Sequence, residues 1–145
     1  MNYVPLISSA IAGPLGALHL PRLWLKLSLE ATSQLAAGYP GLGGGYDQMT
    51  CDALGLDAAA VVAFIQASKP TYPQFEAWVR ANGTSLSKAA IHKHNLAILG
   101  YIHTEATRKE ILSANGLPDD GSVLPDAVNL NNLDDWFEFH QAVLK

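Results

Sequence analysis

The sequence predicts an all-α, single-domain fold from three observations. Helix-length segments lie between Gly, Pro and Asn punctuation, capping residues precede several of them, and no run alternates polar and apolar residues long enough to demand a strand. The chain has 145 residues, 49% of them apolar and 15% charged. A chain of this length buries roughly 70% of its extended surface, so a compact bundle of about five helices with Gly/Pro-rich loops is expected.

Residues 4–18 carry no charged side chain but are broken by Pro5, Ser8, Ser9, Gly13, Pro14 and Gly16. They are expected as an arm with a short helix, packed on the core or on a second copy of the chain, not as a membrane span. Pro21 suits a first helical turn, and no breaker follows before Gly38, so a helix is expected over 21–37. The loop GYPGLGGGYDQ at 38–48 places five glycines and a proline in eleven residues. Asp57 caps the next helix, which ends before Lys69-Pro70. A third helix starts near Pro73 and stops at Asn82-Gly83. Ser87 opens a long helix that is expected to run unbroken to Asn115-Gly116. Residues 117–131 are expected as an ordered loop, with Asn132 and Asp135 at capping-box spacing for a final helix.

Composition excludes several function classes. One cysteine rules out an internal disulfide framework and a CxxC pair. Nine Lys and Arg against thirteen Asp and Glu leave a net charge of −4, without the basic stripe that nucleic acid requires. The glycines are followed by no Lys-Ser or Lys-Thr and form no GxGxxG, so no nucleotide cofactor is expected. A cytoplasmic protein that binds neither nucleic acid nor membrane is the expectation, and a homodimer is the alternative use of the apolar arm.

Candidate functional residues come from polar groups on apolar helices. Arg22 and Lys26, four apart, share one strip of the first helix, where Lys26 has Glu30 as a local partner or both cations hold an anionic group. His19 flanks that helix start. On the long helix His92, Asn95, Leu99 and His103 fall on one face, with His94 nearly opposite. His92 and His103 are the candidate proton carriers, and Asn95 is either a satisfied structural amide or a ligand contact. His140 lies on the apolar face of the last helix. Asp47, behind the glycines, either fixes its loop or orients a histidine. A metal site would require the fold to gather His92, His103, His140 and Asp47, so no metal is expected. Cys51 beside Asp52 reads as an inert thiol, and Asp134 and Asp135 read as capping and surface acids.

Several short motifs recur in one order: HLPRLWLK at 19–26, AAGYP at 36–40, GGGYDQM at 43–49, the LGLD that closes at Asp57, FEAWV at 75–79 and IHKHN at 91–95. In these the chain resembles the domain-of-unknown-function family numbered 5069 (DUF5069) over about residues 13–100. The resemblance implies a small helical protein without an assigned chemistry. It marks His19, Arg22, Lys26, Tyr39, Asp47, Trp78 and Asn95 as a set, with the portion from Gly100 onward as an extension. Members often have Trp where this chain has His94.

The expected function is general acid/base catalysis on a small anionic metabolite. Arg22 and Lys26 would hold the anion, His92 or His103 would move a proton, and Asp47 would orient or share it. His19, Tyr39, Asn95 and His140 complete the substrate contacts. The alternatives are a non-catalytic ligand-binding module and a structural interaction domain.

Overall fold

The structure, a computed structural model, describes residues 1–145. It is an all-α, single-domain bundle of seven α-helices: α1 (Leu20–Ala31), α2 (Tyr46–Leu54), α3 (Ala58–Ser68), α4 (Tyr72–Asn82), α5 (Lys88–Gly100), α6 (Glu105–Ala114) and α7 (Ala127–Phe139). A π-helical turn, His140–Leu144, closes the chain. No single helix is long and apolar enough to cross a membrane.

The main core gathers Leu20, Leu23 and Leu27 of α1, Cys51 and Leu54 of α2, Val61 and Ile65 of α3, and Phe75 and Val79 of α4. Each helix contributes residues three or four apart, so each presents one stripe inward. Two smaller clusters attach the second half. Tyr46 packs with Ile98, Ala127 and Val128, and Leu130 of α7 meets Ile111 and Leu112 of α6.

Asp57 and Ser87 cap α3 and α5 as their positions predict, each accepting from a backbone amide of the first turn. Four boundaries differ from expectation, some for a local reason and some through a contact distant in the chain. The first helix ends at Ala31 because Ser33 turns into the left-handed region, at φ 56°. Residues 34–36 then pair with Tyr3, whose amide donates to Gln34 O and whose carbonyl accepts from Ala36 N. Residues 1–18, expected to include a short helix, form none. Inside the stretch read as a glycine loop lies α2, which starts without a side-chain cap and buries Asp47, Thr50, Cys51 and Leu54.

The long fourth helix is two helices. Gly100 ends α5, Thr104 accepts from Thr107 N to open α6, and Tyr101 O takes the amide of Ala127 instead of continuing the helix. His103 therefore leaves the face it was expected to share with His92 and Asn95. The last helix begins earlier than expected because Asp126, not Asn132, is its cap, accepting from Asn129 N at 2.9 Å.

Candidate functional site

The polar edge of α1 faces the interior. Arg22 and Lys26 are each only 6% exposed, which excludes a solvated cationic strip. Each reaches a carboxylate on another helix. Lys26 Nζ donates to Asp47 Oδ2 of α2 at 2.5 Å, rather than to the exposed Glu30. Arg22 grips Asp135 of α7 bidentately, Nη1 to Oδ2 at 2.6 Å and Nη2 to Oδ1 at 3.0 Å. It also donates to the carbonyls of Pro5 and Ile7, holding the arm. Arg22 thus makes the two-point carboxylate contact its chemistry favours, with a partner inside the protein.

Asp47 is the centre of a buried chain. Its Oδ1 accepts from His19 Nε2 at 2.6 Å, and its Oδ2 accepts from Lys26 and from Gly43 N. Burial opposes the ionised carboxyl, but the His19 hydrogen bond, the Lys26 charge and the Gly43 amide together lower it to about 2. A carboxylate only accepts, so His19 Nε2 carries the proton, and Nδ1 accepts from Ser9 Oγ at 2.8 Å. Burial, reinforced by Arg22 and Lys26, lowers the His19 pKa despite Asp47, which keeps the ring neutral. His19 holds this position with φ 72°, a left-handed conformation uncommon for a residue with a side chain, two residues before Pro21 fixes the first turn.

The order Ser9, His19, Asp47 has the donor sequence of a nucleophilic triad, but Ser9 is 2% exposed and lies outside the cavity that His19 and Asp47 border. The chain fixes the arm and the α2 start instead of presenting a nucleophile.

That cavity has a volume of about 350 Å³ and is walled by α1, the turn at Gly43–Gly45, the α5–α6 connection and α7. It brings together His19, Arg22, Lys26, Tyr39, Asp47 and His103 of the residues singled out in the sequence, and adds Tyr46, Tyr101, Asn131, Asp134 and Asp135. Aromatic rings run between the two histidines, with centroid separations of 5.4 Å for His19–Tyr46, 5.5 Å for Tyr46–Tyr101 and 6.0 Å for Tyr101–His103. Tyr46 OH donates to Ile98 O, tying this wall to α5. Tyr39 OH donates to Asp135 Oδ1, and burial with the Asp135 charge raises its pKa, so the phenol stays protonated. His103 Nε2 meets Asn131 Oδ1 at 2.7 Å. An amide oxygen accepts, so Nε2 bears the proton and Nδ1 is left basic.

Three candidates lie elsewhere. Asn95 is structural in its contacts: Oδ1 accepts from Leu18 N and Nδ2 donates to Gly16 O. It fixes the loop ahead of His19 and does not border the cavity. His94, expected on the other side of the helix, works beside it by donating to Leu18 O. His92 and His140 are exposed and also outside the cavity. No three His, Cys, Asp or Glu side chains converge as metal ligands. Cys51 is buried, and burial followed by the Asp47 charge pushes its thiol up to about 12.

Asp135 and Asp134 are the acids whose roles sequence reasoning missed. Adjacent residues on a helix diverge by about 100°, and that divergence sends Asp135 to Arg22 while Asp134 borders the cavity. The signal that pairs Asp135 with Arg22 is 113 residues away and has no local trace.

No family model, curated protein or solved structure matches the chain.

Proposed function

We propose that the chain is a small-molecule enzyme that moves a proton to and from a small metabolite carrying an anionic group. The observation that carries this reading is the cavity itself. On one side His103 has its Nε2 proton committed to Asn131 and its Nδ1 basic. On the other, the Lys26 ammonium has spent one of its three donors on Asp47. His103 is the proton carrier, Asn131 selects its tautomer, and Lys26 offers its remaining donors to a carboxylate or enolate oxygen. Tyr39 stays protonated at neutral pH and holds Asp135. Arg22 is gripped bidentately by Asp135 and its Nη1 also holds the arm, whereas Lys26 makes a single contact with Asp47, so the anion is assigned to Lys26 rather than to the pair of cations.

A non-catalytic binding module is the second reading. It is favoured by the full internal engagement of His19 and Asp47, which leaves His103 as the single cavity imidazole with a basic nitrogen.

Solvent exchange separates the two. The protein is incubated in D2O with a panel of small carboxylates, hydroxy acids and phosphates, and NMR follows deuterium incorporation and product formation. The enzyme reading expects exchange or turnover with at least one compound, lost in His103→Gln while the chemical-shift response to that compound persists. Ligand binding without exchange establishes the binding module, and exchange that survives His103→Gln overturns the assignment of the proton carrier.

A further inference from the structure

The cavity holds two cations and three carboxylates: Arg22 and Lys26 against Asp47, Asp134 and Asp135. Arg22 is committed to Asp135 and Lys26 to Asp47. One negative charge is left, on Asp134. No protein donor reaches it, and it has no duty in the helix, since α7 is capped by Asp126 and Asp134 lies in its middle. Its surroundings disfavour a carboxylate: half-burial comes first, and the charges of Glu138, Asp135 and Glu110 add to it and outweigh the nearby Arg22, so its pKa is raised. A half-buried acid placed among like charges costs stability, and a bound counter-charge would offset that cost. The cavity also has the aromatic rings of Tyr39, Tyr46 and Tyr101 in its walls, and aromatic faces attract organic cations.

We infer that the substrate carries a cationic nitrogen, which Asp134 holds against the tyrosine-lined wall. Together with the anionic group assigned to Lys26, on which this extension rests, the substrate class is a small bipolar molecule of amino-acid type. The ammonium supplies the missing counter-charge to α7, and the opposite end of the same molecule meets the Lys26 ammonium. Asp134 is a binding and specificity residue in this scheme, and His103 remains the proton carrier.

Titration calorimetry on the full chain tests it with matched probes: glycine, β-alanine and 4-aminobutyrate, each beside its N-acetyl derivative and the carboxylic acid lacking the amine, with butylamine as the amine alone. At least one free amino acid is expected to bind about tenfold tighter than both of its counterparts, and Asp134→Asn to remove that advantage while leaving the carboxylic acid within about twofold. Because Asp134 is unpaired, Asp134→Asn is also expected to raise the melting temperature of the ligand-free protein. A residue with a merely structural role would lower it.

Equal binding of an amino acid and its des-amino partner, or an advantage that survives Asp134→Asn, overturns the cation site while leaving the anion reading in place. Butylamine binding as tightly as 4-aminobutyrate keeps the Asp134 site and removes the anionic group at Lys26. If no probe binds, the bipolar substrate and the anion reading fall together.

Discussion

Arg22 and Asp135, 113 residues apart in the chain, form a two-point ion pair at 2.6 and 3.0 Å that joins the start of the bundle to its last helix. Both are nearly fully buried, so neither charge has water to fall back on. Removing one partner by Arg22→Ala or Asp135→Ala is expected to cost about 3–5 kcal/mol, because the other is left as an uncompensated buried charge. The Arg22 variant also frees the carbonyls of Pro5 and Ile7. Urea unfolding checks this. The double change Arg22→Leu with Asp135→Leu should lie closer to the parent than either single change, and additive losses would show that the two side chains act independently.

The pH dependence of stability follows from the buried histidines and from Asp47. Burial lowers the pKa of both His19 and His94. As pH falls below about 6.5, their unfolded forms take up protons that the folded forms refuse, so stability falls by up to about 1.4 kcal/mol per pH unit for each group. A second loss is expected below about pH 4, as the Asp47 carboxylate, held at about 2 in the folded protein, loses its advantage over its unfolded form. Asp134 works in the opposite sense, since its raised pKa favours proton uptake by the folded state. Urea titrations between pH 7 and 5 should show a falling unfolding free energy, with a shallower slope in His94→Gln, which keeps a donor for Leu18 O. A parent curve flat over that window contradicts the argument.

Asn95 separates a scaffold role from a ligand role. Its amide satisfies one donor and one acceptor of the loop that leads into His19. Asn95→Ala leaves both unpaired at a part-buried site, at a cost of about 1–3 kcal/mol. Its melting temperature should fall, and ligand affinity measured well below that temperature should stay within about twofold. A selective loss of affinity without a loss of stability would return Asn95 to the binding site.

What the sequence made legible follows the range of the forces involved. The caps at Asp57 and Ser87 and the shared edge of Arg22 and Lys26 are local, and local spacing is enough to read them. The break between α5 and α6 depends on Tyr101 O pairing with Ala127 N, a contact across 26 residues that outweighs an uninterrupted helical pattern. The missed α2 had a readable stripe at 47, 50, 51 and 54, hidden by the glycines before it and by the buried Asp47 at one of its inward positions. At the site, the residue types were legible and their partners were not. The two cations seemed free to hold an anion because Asp47 and Asp135 reach them only through the fold.

Cys51 gives a direct check on the packing of α2. Its side chain is fully buried in the main core, and burial pushes the thiol up to about 12. Both effects suppress the thiolate that alkylating reagents attack. Native protein at pH 8 should resist iodoacetamide and become reactive in step with unfolding in urea, followed by mass spectrometry. Rapid labelling of the native chain would mean that α2 opens locally.

The pairing of His103 with Asn131 makes the last prediction. Asn131 Oδ1 at 2.7 Å fixes the proton on Nε2, which leaves Nδ1 as the basic nitrogen. Asn131→Asp should strengthen that hold by placing a carboxylate against the ring, which favours the imidazolium and moves the His103 titration to higher pH. Asn131→Leu removes the acceptor and frees the tautomer. The His103 ring shifts, followed by NMR against pH, should therefore move up in Asn131→Asp. In the enzyme reading the acid limb of the exchange-rate profile should move with them, because protonated His103 has no basic nitrogen to act with. In Asn131→Leu the rate should drop at every pH as the Nδ1-protonated tautomer becomes populated. Ring shifts that move while the rate profile stays fixed would place the proton carrier elsewhere in the cavity.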